Sequence, residues 1–149
     1  MHIDLQLQPL HQDDYLKIEI DPHVSFIYLE WLKTPQNDTF RELFRMAVSL
    51  AVDLSSEYWL SDARTIPYLD FANQNWVIRE VTPLLAASKL RKYARLSSKE
   101  SIDLLDIHRI YETLSSQTNF TAITKFESFT SKEAAQEWLF SDYGEVHCS

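Results

Sequence analysis

Charged side chains that could bind a ligand or a partner follow a strand-like segment in the middle of the chain. Residues 58–60 are apolar, Asp62 and Arg64 come directly after them, and Asp70 follows a short loop. In an open α/β sheet, ligands and partners usually meet the loops at the carboxyl ends of strands. Arg64 has the planar donor geometry that holds a carboxylate or phosphate through two hydrogen bonds. We therefore expect binding at Asp62, Arg64 and Asp70.

The same residues also fit a purely structural arrangement. Asp62 and Arg64 could form a local salt bridge, and Asp70 could cap the following helix through its carboxylate. An enzyme would need Asp62 or Asp70 as a general base, and the sequence offers no identifiable nucleophile or oxyanion site beside them. We therefore predict no catalytic residue and no cofactor, and we place binding ahead of catalysis.

Aromatic residues are concentrated around the same loop. They could line an apolar pocket with Arg64 at its mouth, which would suit an anionic or amphiphilic ligand. They could instead fill the core between a sheet and its helices. The aromatic residues in question are Tyr58, Trp59, Tyr68, Phe71 and Trp76. The residues predicted to bind a ligand or partner are Trp59, Asp62, Arg64, Tyr68, Asp70 and Phe71.

Length and charge restrict the class of protein. A chain of 149 residues, 45% of them hydrophobic, fits one packed domain over residues 1–149. The 14 basic and 22 acidic residues give a net charge of -8, which disfavours nucleic-acid binding because phosphate backbones repel an acidic surface. Gly144 is the only glycine, so the glycine-rich loops of nucleotide-binding sites and nucleophile elbows are excluded.

The sequence predicts a cytoplasmic protein without a membrane span or a metal site. Its first ten residues lack the basic start and apolar stretch of a secretory signal, and the apolar segment over residues 40–54 contains four charged residues. Cys148 is the only cysteine, which excludes an intrachain disulfide and a thiolate zinc cluster. The five histidines show no metal-ligand spacing.

The elements that position these residues can be predicted from periodicity. Residues 15–20 and 24–31 alternate as an antiparallel hairpin around a turn at residues 21–23, and a helix over residues 40–54 follows a capping-box pattern at Thr39 and Glu42. A second helix over residues 70–90 is interrupted at Pro83. Strands over 93–96 and 121–129, a helix over 100–116 and a last helix capped by residues 130–133 complete the chain. The fold class is α/β, a mixed sheet in which an N-terminal hairpin precedes alternating helices and strands.

This order, with WLSD at residues 59–62, YLD at 68–70 and FTSKEAAQEWL at 129–139, resembles the SpoIIAA-like or STAS fold of small bacterial proteins. In that family, a serine in an Asp-Ser-Ser-Gly segment is phosphorylated to control partner binding. Here Phe71, Ala72 and Asn73 follow Asp70. The resemblance implies the scaffold and a partner surface around the loop, without the phosphorylation switch.

Two further segments carry open alternatives. Basic residues cluster beside Ser97 and Ser98, where they could bind an anion at a predicted helix start or could form a solvated strand edge. The cluster comprises Lys89, Arg91, Lys92, Arg95 and Lys99. The helix over residues 100–116, which includes His108, has an apolar arc wide enough for a second subunit, and we expect a homodimer interface there.

The sequence therefore predicts a non-enzymatic binding or regulatory module that recognises a protein partner through the loop at residues 62–71. The alternative is a carrier of an anionic or amphiphilic small molecule in an aromatic-lined pocket.

Overall fold

In the described part of the chain, six β-strands form one mixed sheet whose strands follow each other in the order of the chain. The computed structural model describes residues 3–66, 70–99 and 124–144. The strands are β1 (Gln8–Gln12), β2 (Leu16–Asp21), β3 (Phe26–Trp31), β4 (Tyr58–Asp62), β5 (Lys92–Leu96) and β6 (Lys125–Phe129). The predicted α/β class with an N-terminal antiparallel hairpin is confirmed.

The sheet changes from antiparallel to parallel at β3. β1, β2 and β3 pair antiparallel, and the hairpin register runs from Leu16 opposite Trp31 to Asp21 opposite Phe26. β3, β4, β5 and β6 pair parallel, so their carboxyl ends lie at one edge of the sheet. Sequence reasoning missed β1, because its residues are mostly polar and exposed and carry no alternating apolar signal.

The first helix, α1 (Asn37–Asp53), packs a regular apolar stripe against the sheet. The predicted capping box was wrong at its amino end. The helix begins two residues before Thr39, and its N-cap residue Gln36 makes no side-chain capping bond. Its carboxyl end is closed by backbone bonds from Ser55 N–H to Val52 O at 3.1 Å and from Ser56 N–H to Ala51 O at 2.9 Å. Ser55 therefore occupies the left-handed position (φ 54°) where glycine is common.

The second helical segment is interrupted, as predicted from Pro83. It consists of α2 (Phe71–Trp76), a π-helical turn (Val77–Val81) and α3 (Thr82–Ala86). Pro83 lies in the first turn of α3, where its missing N–H costs little. The segment ends at Ala86, four residues before the predicted boundary.

The described residues form two apolar cores on opposite faces of the sheet. Alternation along β3 and β4 sends Leu29 and Trp59 to the face covered by α1, α2 and α3. It sends Tyr28 and Leu60 to the other face, which is covered by the last helix, α4 (Lys132–Leu139), and by apolar residues of the N-terminal segment. The central strands are therefore buried on both sides, as is typical of parallel strands.

The last helix begins within the predicted capping segment. Ser131 is its N-cap and accepts a hydrogen bond from the Ala134 backbone N–H at 3.3 Å. The helix predicted over residues 100–116, the dimer interface expected on it, and Tyr68 lie outside the described residues, as do residues 121–123 of the predicted last strand.

Candidate functional site

Asp62 and Arg64 form a two-bonded ion pair at the carboxyl end of β4. Arg64 Nε donates to Asp62 Oδ1 at 3.0 Å, and Arg64 Nη2 donates to Asp62 Oδ2 at 2.7 Å. The Arg64 backbone N–H adds a third bond to Oδ1 at 3.2 Å. The Asp62 side chain is 6% exposed, whereas that of Arg64 is 50% exposed. The buried carboxylate therefore fixes one edge of a guanidinium that still reaches solvent.

Tyr28 and Glu30 of the neighbouring strand complete a group that we call the Asp62 cluster, comprising Tyr28, Glu30, Asp62 and Arg64. Glu30 lies directly beside Asp62 in the parallel register. The Tyr28 hydroxyl donates to Glu30 Oε1 at 2.9 Å and lies 3.5 Å from Asp62 Oδ2. Because the phenol has one proton, the shorter contact to Glu30 is the hydrogen bond and the longer one is mainly electrostatic.

The electrostatics of the Asp62 cluster keep its tyrosine protonated and its arginine charged. Burial raises the pKa of Tyr28, and the hydrogen bond to Glu30 and the charge of Asp62 raise it further. The hydrogen bonds to Asp62 raise the pKa of Arg64, while partial burial opposes them. Tyr28 is therefore not a base near neutral pH, and the carboxylate of Asp62 is occupied by a cation.

Basic residues from two other elements surround the Asp62 cluster. Lys132, in the first turn of α4, places Nζ 4.5 Å from the centroid of the Tyr28 ring, and Lys17 Nζ lies 3.5 Å from Glu30 Oε1. The pKa of Glu133 is lowered by a hydrogen bond from its own backbone N–H, by the Ser131 hydroxyl and, to a smaller extent, by the charges of Lys132 and Arg64. Lys132 therefore brings the start of α4 against the Tyr28 ring of the cluster.

Asp70 caps α2, which was the structural alternative for this residue. Its Oδ1 accepts a hydrogen bond from the Asn73 backbone N–H at 2.8 Å. The Asn73 side chain is itself buried and accepts from Arg41 Nε at 2.8 Å. Phe71 is the first residue of α2. These contacts anchor the carboxyl end of the predicted binding loop to α1.

The tryptophans of the predicted aromatic group lie in the core. Trp59 is fully buried, and its ring centroid lies 6.0 Å from that of Phe44 and 5.1 Å from that of Tyr93. Trp76 is also buried and lies 6.3 Å from Phe44. Both indoles therefore fill space between the sheet and its helices.

The basic cluster does not form the solvated strand edge that was one of its two predicted roles. β5 is an interior strand between β4 and β6, and the side chains of Lys92 and Arg95 are buried. Lys92 Nζ lies 2.8 Å from Trp138 O, 3.1 Å from Ser141 Oγ and 3.2 Å from Asp142 Oδ1. Lys92 thereby attaches the sheet to the end of α4. The edge hypothesis was wrong because the local sequence does not show that β6 pairs with the outer side of β5.

Sequence reasoning found Asp62 and Arg64 but missed Tyr28, Glu30 and Lys132. Tyr28 and Glu30 precede Asp62 by more than thirty residues, and a local pattern does not show that β3 lies beside β4. The alternation of residues 24–31 does place Tyr28 and Glu30 on one face, and this was the only available signal. Pairing that face with Asp62 required the parallel register.

In the part of the chain that the structure describes, no group of three or more histidine, cysteine, aspartate or glutamate side chains is arranged to hold a metal ion. Within the same part, no helix combines the length and the apolar character needed to cross a bilayer. Comparison of the chain with protein-family models, with curated proteins and with solved structures gave no match.

Proposed function

We propose that the protein is a non-enzymatic binding module that recognises a protein partner through the carboxyl edge of its sheet, with Arg64 as the central contact. The observation that carries this proposal is the geometry of Arg64, whose Nε and Nη2 edge is fixed on buried Asp62 while half of the side chain remains exposed. An arginine already held in place loses less conformational entropy when it binds. Arginine is also among the residues that contribute most to protein interfaces.

The partner group that suits this geometry is a carboxylate. A guanidinium bound along one edge retains donors on its other edge, and these donors match a carboxylate through two hydrogen bonds. The neighbouring loop, from Asp62 to the α2 cap Asp70, would form the rest of the contact. Its position at the end of a parallel strand agrees with where α/β sheets generally bind.

The alternative function, a carrier of an anionic or amphiphilic small molecule, receives less support. It needs aromatic side chains that line a pocket, and the close packing of Trp59 and Trp76 against Phe44 favours a core role for both indoles. Native mass spectrometry of the gently purified chain would test the carrier, because a bound small molecule would appear as a reproducible additional mass.

Three other expectations also stay predictions. The resemblance to STAS proteins implies a regulatory scaffold, and the residues after Asp70 argue against phosphorylation of a serine at that position. A cytoplasmic location stays a prediction from the sequence. A homodimer through the segment at residues 100–116 would be seen as a doubled mass in the same native spectrum.

The decisive experiment is quantitative affinity capture with three forms of the chain: wild type, Arg64→Lys and Arg79→Lys. Lysine keeps the positive charge at Arg64 but cannot form the two-bonded contact. Arg79 is a matched control, because its side chain is 68% exposed and its ion pair with Glu80 lies at the surface. We expect a protein that wild type and Arg79→Lys retain equally and that Arg64→Lys retains at least tenfold less.

The purified candidate must then bind wild type directly, with the same loss of affinity for Arg64→Lys. A circular dichroism melt of each variant shows whether it has kept its fold. Equal capture by all three folded forms would contradict the proposal, because the central contact would then not involve the guanidinium.

A further inference from the structure

Arg95 is a buried arginine on the opposite face of the sheet from Asp62. Side chains alternate along β5, so Arg95 lies on the same face as Tyr93, which belongs to the core under α1 and α2. Arg95 is 9% exposed, and its Nε has no hydrogen-bond partner among the described residues. Within those residues, no carboxylate lies within ion-pair distance of its guanidinium.

A serine flanks Arg95 on each of the two neighbouring strands. In the parallel register, Ser61 of β4 lies beside Arg95 on one side and Ser128 of β6 lies beside it on the other. Adjacent strands are about 4.8 Å apart, so the three side chains form one row. Oγ of Ser128 is buried and has no hydrogen-bond partner in the described part of the chain.

Ser97 adds a second unpaired hydroxyl to the same face. Its backbone N–H donates to Phe129 O at 2.9 Å, so the chain remains extended after β5 and Ser97 lies on the same side as Arg95. Ser97 is 1% exposed, and its Oγ also lacks a hydrogen-bond partner among the described residues. Three buried donors therefore lie on one face of the sheet, near the carboxyl ends of β5 and β6.

Among the described residues the buried Arg95 guanidinium has no counter-charge. A buried charge without a partner is energetically unfavourable, and arginine cannot relieve the cost by losing its proton. Water can satisfy serine hydroxyls but supplies no negative charge. Arginine and serine donors together are the groups that proteins use to bind oxyanions. We propose that Arg95, Ser97 and Ser128 form a binding site for one oxyanion, the phosphate or carboxylate group of a small molecule.

This site is separate from the proposed partner surface. Tyr28 and Asp62 belong to the face covered by α4, whereas Arg95 belongs to the face covered by α1 and α2. Loss of partner binding in Arg64→Lys would therefore leave oxyanion binding intact. Either proposal can fail without the other.

The test is a titration of the full-length, ¹⁵N-labelled chain with sodium phosphate and, separately, sodium acetate at constant ionic strength. The Arg95 Nε–Hε signal is assigned by its absence from the spectrum of Arg95→Met. We expect this signal to shift saturably, because an anion would accept a hydrogen bond from Nε. Saturation by phosphate alone identifies a phosphoryl ligand, and saturation by acetate alone identifies a carboxylate.

Isothermal titration calorimetry with the anion that saturates the Arg95 signal should show at least a tenfold loss of affinity in Arg95→Met. Arg79→Met, which removes an exposed arginine, should bind the anion like wild type. If Arg95→Met does not fold, Ser128→Ala provides the second variant, since it keeps the guanidinium and removes one donor. Its affinity should fall severalfold.

The proposal is overturned if neither anion shifts the Arg95 signal, or if the shift stays linear with concentration. It is also overturned if the variants bind as tightly as wild type. A saturable shift confined to another arginine would place the anion elsewhere and would count against this site.

Discussion

The ion pair between Asp62 and Arg64 should respond asymmetrically when one partner is removed. In Arg64→Ala, buried Asp62 loses the two side-chain bonds at 3.0 and 2.7 Å and keeps one backbone N–H bond at 3.2 Å. In Asp62→Ala, the released guanidinium is already half exposed and can be hydrated. The free energy of unfolding should therefore fall further when the exposed partner is removed than when the buried partner is removed.

The magnitudes follow from burial. Removing one partner of a fully buried pair costs about 3–5 kcal/mol, because an uncompensated charge remains. Arg64 is half exposed, so its removal admits water to Asp62, and we expect about 2–3 kcal/mol for Arg64→Ala. A hydrogen bond to a charged group contributes roughly 1.5–3 kcal/mol, and rehydration of the guanidinium offsets part of this in Asp62→Ala. We expect about 1 kcal/mol for that variant.

The assay is urea unfolding near neutral pH, monitored by tryptophan fluorescence, for wild type, both single variants and the double variant. The double variant should be no less stable than Arg64→Ala, because no buried carboxylate is left unpaired. Equal denaturant slopes are required, so that the midpoints report stability alone. Arg79 forms an exposed ion pair with Glu80 and serves as the control, so Arg79→Ala should change the free energy of unfolding by less than about 0.5 kcal/mol.

The reasoning is refuted if Asp62→Ala costs as much as Arg64→Ala or more. It is also refuted if the two single effects simply add in the double variant, since additivity would mean that the bonds contribute no coupling. High salt supplies a further check. A buried pair is screened weakly, so the difference between the two single variants should persist in 1 M sodium chloride.

Three further predictions concern stability. Lys92→Met should lower the free energy of unfolding by about 2–4 kcal/mol in urea unfolding, because the Asp142 carboxylate and the Trp138 carbonyl lose the ammonium that they contact. Lys89 is exposed, so Lys89→Met should change the free energy of unfolding by less than about 0.5 kcal/mol. Ser55→Gly should raise the melting temperature, since a left-handed serine costs about 1–2 kcal/mol and the added freedom of unfolded glycine offsets about 0.5–1 kcal/mol; Ser49→Gly, in the interior of α1, should lower it. Burial raises the pKa of Tyr58 from 10.0 to about 12. The free energy of unfolding should therefore not change through this group below pH 10 and should fall by about 3 kcal/mol as the pH rises through 12. If Tyr58→Phe lost as much free energy of unfolding as wild type over this pH range in urea unfolding, the prediction would be contradicted.

The elements predicted correctly are those in which local periodicity and packing agree. Alternation over residues 24–31 and the apolar stripe of α1 each reflect one buried face, and both elements are present. β1 was missed because it is held by backbone pairing to β2 while its side chains remain exposed. The start of α1 was misplaced because Thr39 and Glu42 satisfy a capping pattern inside a helix that begins earlier.

The candidate site was only half predictable for a different reason. Asp62 and Arg64 are two residues apart, so their pairing can be read locally. Glu30 and Lys132 reach the same place through strand register and helix packing, which depend on the whole sheet. Lys92 shows the same limit, since its nearest partners lie more than forty residues later in the chain.

The sequential order of the described strands has a consequence for synthesis on the ribosome. Each strand from β2 to β6 hydrogen-bonds to the strand made just before it. A nascent chain can therefore extend this sheet from one side, with each finished edge serving as the template for the next strand. The hairpin forms from neighbouring segments, whereas each later parallel strand must wait until its crossover has emerged. The folding intermediates expected during translation are partial sheets that lengthen by one strand at a time.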